Sequence, residues 1–137
     1  MALSTADQMA VLDIVARADM AATRRDIDAY VAFFGEQAVL DGVMGTHRGR
    51  IELRSAVDPI WSAEGSSSVH LTMNAVVDSV ADDPERAVAT SILLILGTDP
   101  PISIHSLSAI RQVLERTNGT WLITRRTVSP MNPDIPR

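Results

Sequence analysis

The sequence contains no cysteine and few aromatic residues. Disulfide bonds and thiolate-ligated metal sites are therefore excluded, and a reducing compartment is expected. No apolar run approaches the roughly 20 residues that a helix needs to cross a bilayer, so no membrane partner is expected. The N-terminus lacks the basic and apolar regions of a signal peptide. These features predict a cytoplasmic protein.

Positive charge is also in short supply. The chain carries 12 Lys and Arg against 17 Asp and Glu, a net charge of −5. Proteins that bind nucleic acids usually present an extended basic surface, whereas Arg24-Arg25 and Arg125-Arg126 are isolated doublets. No nucleic-acid partner is therefore expected. A chain of 137 residues fits one domain. We predict a core over about residues 6–128 and an irregular, exposed tail over 129–137.

The first half of the chain is helical in pattern. Thr5 and Gln8 form a capping-box pattern ahead of an apolar stripe with helical spacing, which predicts a helix to about Ala22. Asp26 is a candidate cap for a second, shorter helix, and Gly35 is placed to end it.

A short strand, a glycine-punctuated loop and a third helix follow. The strand is predicted over Ala38–Asp41 and the loop over Gly42–Gly49. The third helix should begin near Gly49 and be interrupted at Asp58-Pro59, because proline cannot donate the helical hydrogen bond.

The second half changes to strand periodicity. Apolar or alternating runs cover Val69–Val80, Arg86–Leu96 and Ile102–Arg116, and an Asn118-Gly119 turn joins the last of them to a strand that begins at Trp121. Helices followed by antiparallel strands predict an α+β fold, with three N-terminal helices packed on a strongly curved, mostly antiparallel sheet around a pocket.

The Asn-Gly turn predicts the register of the final hairpin. With Thr117 opposite Thr120, an unbroken ladder pairs Leu114 with Ile123, and Gln112 with Arg125, on one face. That face is the more apolar and is predicted to point inward. Gln112 and Arg125 would then be neighbouring polar groups on an apolar surface, which need each other, water or a ligand.

Four segments carry a resemblance to a known family: Arg24 to Tyr30, Phe34 to Gly42, His70 to Asn74 and Asn118 to Arg126. In this order and spacing they resemble the SnoaL-like family of the nuclear-transport-factor-2-like superfamily, and the resemblance covers about Ala6 to Val128. Members of this superfamily include dehydratases, isomerases, cyclases, epoxide hydrolases and pure binding domains.

The resemblance implies a site centred on His70. In dehydratase-like members a histidine on this strand pairs with an aspartate that precedes the second helix. His70 matches the histidine, but the aspartate position falls on Thr23, and Gln112 occupies a position that is often acidic. A threonine cannot stabilise an imidazolium as a carboxylate does.

Two residues are therefore candidates for catalysis. His70 is a candidate general base, since imidazole titrates near neutral pH; the alternative is a half-buried histidine held by a backbone carbonyl or Asn74. Asp41 lies where ketosteroid-isomerase-like relatives keep their base, and an apolar cavity would raise its pKa. The alternative, which its sequence context favours, is a turn residue capping Gly42-Val43.

Substrate binding is assigned to residues predicted to face the pocket: Tyr30, Phe34, Trp61, Gln112 and Arg125. Tyr30 is a candidate donor or a plain core residue. Gln112 with Arg125 would bind a carboxylate, carbonyl or enolate oxygen, or form a structural polar pair. The three histidines show no metal-ligand spacing and no phosphate-binding loop is present, so no metal and no cofactor are expected.

Two function classes follow. One is a cofactor-free lyase or isomerase that moves a proton on a small hydrophobic carbonyl compound. The other is a non-catalytic ligand-binding or dimeric accessory module. A homodimer is expected from the resemblance, through an outer sheet face that would carry Leu107, Val113, Leu122 and Val128.

Overall fold

The computed structural model describes residues 2–131. Within them the chain forms three helices and six strands. These are α1 (Thr5–Thr23), α2 (Ile27–Ala32), β1 (Phe34–Gly42), β2 (Gly45–Arg48), α3 (Gly49–Glu64), β3 (Ser68–Val80), β4 (Asp83–Gly97), β5 (Ser103–Thr117) and β6 (Thr120–Pro130). The predicted α+β fold is confirmed. None of the helices over these residues is long and apolar enough to cross a membrane.

One curled, unclosed sheet contains all six strands in the order β2-β1-β6-β5-β4-β3. Every neighbouring pair is antiparallel except β1 and β6, which run parallel. The helix α1 packs mainly on β3 and also contacts β4 and β6, while α3 packs on β1. The helices therefore cover the concave side of the sheet.

The core lies between the helices and this concave side. Its largest fully buried apolar side chains come from α1, α3, the parallel pair β1 and β6, and β5. They are Val11, Val15, Phe34, Leu53, Leu114 and Ile123. Burial of each such side chain contributes about 1.5–3 kcal/mol, so this layer accounts for much of the stability of the fold.

The first two helices begin close to where their capping signals predicted. The cap of α1 is Ser4, whose hydroxyl accepts from the Asp7 N–H at 3.0 Å, and not Thr5. Gln8 donates to the Leu3 carbonyl instead of completing a capping box on Thr5. Asp26 caps α2 as predicted, and accepts from the N–H of residue 29.

Two predicted helix boundaries are wrong. Gly35 does not end α2, because the chain enters the sheet at Phe34, where the Ile123 N–H donates to the Phe33 carbonyl at 2.9 Å. The third helix is not interrupted at Pro59 and runs to Glu64. Its buried stripe of Leu53, Val57 and Trp61 continues across the proline, so tertiary packing outweighs the lost hydrogen bond.

The final hairpin contains a β-bulge that the predicted register lacked. The pairing runs as predicted from Thr117–Thr120 to Leu114–Ile123, but Val113 then lies opposite Arg125. Thr124 is the extra residue of the bulge, so every later side chain of β6 changes face. Beyond this point the predicted inner and outer faces of β6 are exchanged. The strand also continues to Pro130, so the predicted irregular tail does not begin at 129; residues 132–137 lie outside the described residues.

Candidate active site

A cavity of about 670 Å³ lies between the three helices and the sheet. Of the residues predicted to bind substrate, Tyr30 and Trp61 line it, and so does His70. Phe34 is instead fully buried in the core beside it. At the outer edge Val43, Met44 and Ile104 also line the cavity and are strongly exposed, so its mouth is apolar.

The His70 imidazole is paired with a carboxylate. Its Nε2 lies 2.7 Å from Oε1 of Glu64, and the two side chains are only 6% and 12% exposed. Glu64 also lines the cavity. Thr23 stands where the resemblance places an aspartate, so the sequence analysis assigned His70 no carboxylate partner, and the structure supplies one in Glu64. The structural alternatives, a backbone carbonyl or Asn74, do not describe the ring contact either.

Glu64 is held in place by a network from the end of α1 and the start of β3. The Arg25 guanidinium lies 3.6 Å from the Glu64 carboxylate and donates to the Gly65 carbonyl at 2.7 Å and to the Ser68 hydroxyl. That hydroxyl lies 3.4 Å from Glu64 Oε1. An ion pair with Arg25 and a hydrogen bond from Ser68 hold the carboxylate before any ligand arrives, which favours a single orientation of the His70 ring.

Thr23 contacts the backbone of His70, not its ring. The Thr23 hydroxyl accepts from the His70 N–H at 2.8 Å and lies 3.4 Å from the His70 carbonyl. The position where dehydratase-like relatives place an aspartate thus anchors β3 to the end of α1. The ring itself has Glu64, six residues earlier in the chain, as its partner.

A second buried pair joins α1 to β6. Nη2 of Arg126 donates to Oδ1 of Asp19 at 3.1 Å, and Thr72 on β3 donates to the other Asp19 oxygen. Asp19 and Arg126 are 2% and 3% exposed. Burial would lower the pKa of Arg126, but the Asp19 carboxylate, and the Tyr30 phenolate where it forms at high pH, more than offset this and the pKa stays above its ordinary value. The guanidinium is therefore permanently charged.

Arg126 takes the place that the sequence assigned to Arg125. It lines the cavity, and its Nη1 is buried without a hydrogen-bond partner among the described residues. Its cross-strand neighbour is Gln112, which is buried, as the inward assignment required, with neither amide atom paired. Gln112 does not line the cavity. The predicted polar neighbours on the inner face exist, but the arginine is the next one along β6, and no hydrogen bond joins it to Gln112.

Arg125 and Asp41 meet outside the cavity. They form an ion pair at 2.6 Å in which Arg125 is half-exposed. The Thr46 hydroxyl, followed by Arg125, holds the pKa of Asp41 below its ordinary value, contrary to the raised pKa expected of a catalytic base. Asp41 lies opposite Thr46 in the β1–β2 hairpin and accepts from its hydroxyl at 2.8 Å, and within residues 2–131 its carboxylate does not cap the backbone of Gly42-Val43.

Tyr30 belongs to an aromatic cluster on the cavity wall. Its ring centroid lies 5.1 Å from those of both Phe34 and Trp61, and the contact with Trp61 is edge-to-face. Burial raises the pKa of the Tyr30 phenol, with a smaller opposing effect from Arg126. Tyr30 is therefore a neutral group at physiological pH, and a donor if it meets a ligand.

The other two histidines also reach the cavity, which their sequence positions did not indicate. His47 lines it from β2, with Nε2 buried and unpaired within residues 2–131. His105 is the extra residue of a bulge between β4 and β5 and packs over Gly97, where an added Cβ would meet its ring at 2.4 Å. No group of three potential ligands among the described residues is arranged to hold a metal ion.

Glu64, Asp19 and Arg126 were missed by the sequence analysis. Asp19 had a visible signal, because it follows Val11 and Val15 at four-residue spacing on the buried stripe of α1. Glu64 had none, since the predicted interruption at Pro59 placed it outside the helix. Arg126 was assigned to the outer face by the missing bulge.

Solved structures share this fold at low sequence identity. A protein of unknown function with a cystatin-like fold from Nostoc punctiforme aligns with a TM-score of 0.87 at 21% identity, covering 99% of this chain and 98% of that one. A candidate scytalone dehydratase from Novosphingobium aromaticivorans aligns with a TM-score of 0.77 at 15% identity, covering 90% and 83%. ActVI-ORFA from Streptomyces coelicolor aligns with a TM-score of 0.74 at 17% identity, covering 89% and 95%.

Sequence comparison gives the family. None of the curated proteins matches the chain. The model of the SnoaL-like domain matches residues 4–127, which include all three helices and the residues His70, Glu64, Asp19 and Arg126. The chain therefore belongs to the SnoaL-like domain family.

Proposed function

We propose that the protein is a cofactor-free lyase or isomerase that moves a proton on a small hydrophobic carbonyl compound. The observation that carries this proposal is the buried His70–Glu64 pair at the cavity wall, at 2.7 Å. A carboxylate that orients an imidazole and stabilises its protonated form is an arrangement suited to general base catalysis. The likeness to a candidate dehydratase adds support.

In this proposal each residue of the pair has one role. Glu64 accepts a hydrogen bond from Nε2–H of His70, which leaves Nδ1 as the nitrogen that takes a proton. Within residues 2–131 the contact with Glu64 is the only side-chain hydrogen bond of the ring. Proton abstraction next to a carbonyl then produces an enolate and an imidazolium, and the Glu64 charge stabilises that imidazolium.

The enolate has two outcomes that match the two reaction types. A hydroxyl group on the β-carbon leaves as water, with the proton returned by His70, and this is a lyase reaction. Without a leaving group, the imidazolium returns the proton to a different carbon, and this is an isomerase reaction. Both need only the proton already removed, so neither requires a cofactor. Apolar side chains such as Trp61, Leu93 and Ile95 line the cavity and favour a hydrophobic substrate.

The experiment is turnover of a panel of β-hydroxy ketones and of β,γ-unsaturated ketones by the parent and by His70→Asn. Elimination is followed by the absorbance of the conjugated product, and isomerisation by the same signal. We expect turnover in the parent and a loss of about 10²–10⁴-fold in the variant. Binding without turnover in the parent would point instead to the non-catalytic ligand-binding module.

We also propose a homodimer through the outer sheet face. Val113 and Leu122 are half-buried on that face and support the dimer. Leu107 and Val128 line the cavity, so they are no longer assigned to the dimer face. Light scattering at micromolar concentration tests the proposal. The variants Val113→Glu and Leu122→Glu should dissociate a dimer that uses this face, and a monomeric parent would contradict it.

A further inference from the structure

The Arg126 guanidinium has one nitrogen bound by a partner and one buried without a partner. Nη2 is bound by Asp19, while Nη1 is buried with no partner among residues 2–131, and Arg126 lines the cavity. The side chain is 3% exposed, so water in bulk solvent does not solvate this donor. A buried N–H donor of this kind needs an acceptor, and a ligand in the cavity that Arg126 lines is a source of one.

The charge around Arg126 is already balanced. Asp19 compensates the guanidinium, and its second oxygen is taken by Thr72. Tyr30, the other ionisable group beside Arg126, has a pKa raised by burial and carries no charge at neutral pH. Gln112, the cross-strand neighbour, carries no charge. A ligand carboxylate would add an unbalanced negative charge at this end of the cavity, whereas an uncharged oxygen would satisfy Nη1 at no such cost.

Arg126 also lies near the proposed proton-transfer pair. Asp19 and Thr23 are one helical turn apart on α1, about 6 Å along its axis. They bind Thr72 and the backbone of His70 respectively, which are two residues apart on one face of β3, about 7 Å. Through Asp19, Arg126 is therefore fixed beside the segment of β3 that carries the imidazole.

We propose that Arg126 Nη1 binds the uncharged carbonyl oxygen of the ligand, so that the substrates of this site are ketones or esters and not carboxylates. The role of Arg126 in ligand binding stands by itself, and its role in the reaction rests on the function proposed above. When the proton next to the carbonyl moves to His70, the negative charge on the oxygen forms together with the positive charge of the imidazolium, so the net charge of the site does not change as it would with a bound carboxylate. Arg126 would thus select the ligand and stabilise the enolate.

The test compares three probes with one ring system: 2-acetylnaphthalene, 2-naphthoate and 2-ethylnaphthalene. Dissociation constants are measured by calorimetry for the parent, for the double variant Asp19→Asn with Arg126→Gln, and for Arg125→Gln. The double variant removes both buried charges together and avoids an unpaired Asp19. Arg125→Gln is the matched control, since Arg125 pairs with Asp41 outside the cavity. Far-ultraviolet circular dichroism checks that each variant is folded.

We expect the parent to bind the ketone about tenfold or more tighter than the hydrocarbon, and tighter than the naphthoate. The double variant should lose the preference for the ketone and keep its affinity for 2-ethylnaphthalene, and Arg125→Gln should behave as the parent. Equal binding of ketone and hydrocarbon, tightest binding of naphthoate, no binding of any probe, or a preference that survives in the double variant would each overturn the inference.

Failure of the proposed reaction would look different. A parent that binds the ketone in an Arg126-dependent way but turns over none of the β-hydroxy ketones supports the binding inference and contradicts the enzyme. Turnover that depends on His70 but is unchanged in the double variant contradicts the role of Arg126. Such a result is still consistent with the proposed lyase or isomerase activity.

Discussion

Thr23 holds the backbone of His70, not its imidazole. The hydroxyl accepts from the His70 N–H at 2.8 Å and lies 3.4 Å from the His70 carbonyl. It therefore fastens the end of α1 to the third residue of β3. The carboxylate that meets the ring comes from α3, through Glu64. The sequence motif around His70 lacks its aspartate, but α3 supplies the acidic group in the folded protein.

Replacing Thr23 by Asp should therefore not increase any turnover. The carboxylate cannot donate to the His70 carbonyl, and it adds negative charge at the C-terminal end of α1. We expect a loss of about 1–2 kcal/mol in the free energy of unfolding by urea. Thr23→Ser is the matched control, because it keeps the hydroxyl. A faster Thr23→Asp variant would show that residue 23 does serve the ring.

Replacing Glu64 by Gln should lower turnover by about 10²–10⁴-fold while the fold is retained. The amide can donate to Nε2 as well as accept from it, so it no longer fixes the tautomer, and it does not stabilise an imidazolium. Turnover of the ketone panel and thermal unfolding are measured together. Glu36→Gln, an exposed carboxylate on β1, is the control. Unchanged turnover in Glu64→Gln would remove Glu64 from the mechanism.

Replacing Asp19 alone by Leu should destabilise the protein by about 3–5 kcal/mol, because it leaves the Arg126 charge buried and unpaired. The double variant Asp19→Leu with Arg126→Met should lose far less, since no charge is then buried. Urea unfolding of the parent, both single variants and the double variant closes the cycle. Additive losses would mean that the 3.1 Å contact does not couple the two residues.

Asp41 should stabilise the fold at neutral pH and lose that effect in acid. Its pKa is lowered in the folded protein by Thr46 and Arg125, so its contribution is complete above the unfolded value of about 3.9. It disappears as the pH falls through the lower folded value. Asp41→Asn should therefore be less stable than the parent at pH near 6, with the difference closing below about pH 4.

The measurement for Asp41 is urea unfolding over this pH range. Asp58→Asn on α3, an exposed aspartate without an ion pair within residues 2–131, should show no such difference. A gap between the Asp41 variant and the parent that stays constant down to the lowest pH would contradict the assignment.

Tyr30 is the single tyrosine of the chain, so ultraviolet absorbance reports its ionisation alone. Burial raises its pKa, so the folded protein should resist ionisation as the pH passes the ordinary value of about 10. The unfolded chain then binds fewer protons than the folded one, and stability should fall as the pH rises further. Tyr30→Phe should lack this fall. Ionisation near pH 10 in the folded protein would contradict it.

Local signals in the sequence were enough for the architecture. Asp26 caps α2, the Asn118-Gly119 turn sets the first pairs of the final hairpin, and the change from helical to strand periodicity gives the α+β class. Each of these depends on residues within a few positions of one another. Local structure over such short distances depends on backbone geometry and solvation, and both can be inferred from the residue types in the sequence.

The site was decided by longer-range packing. One bulge residue, Thr124, moved Arg126 into the cavity and Arg125 onto Asp41. The uninterrupted α3 brought Glu64 to His70, because the burial of Trp61 outweighs what Pro59 removes. A bulge and a proline inside a helix each have a small local cost that packing elsewhere can outweigh. The sequence therefore determined which groups were available, and the tertiary structure decided which of them meet.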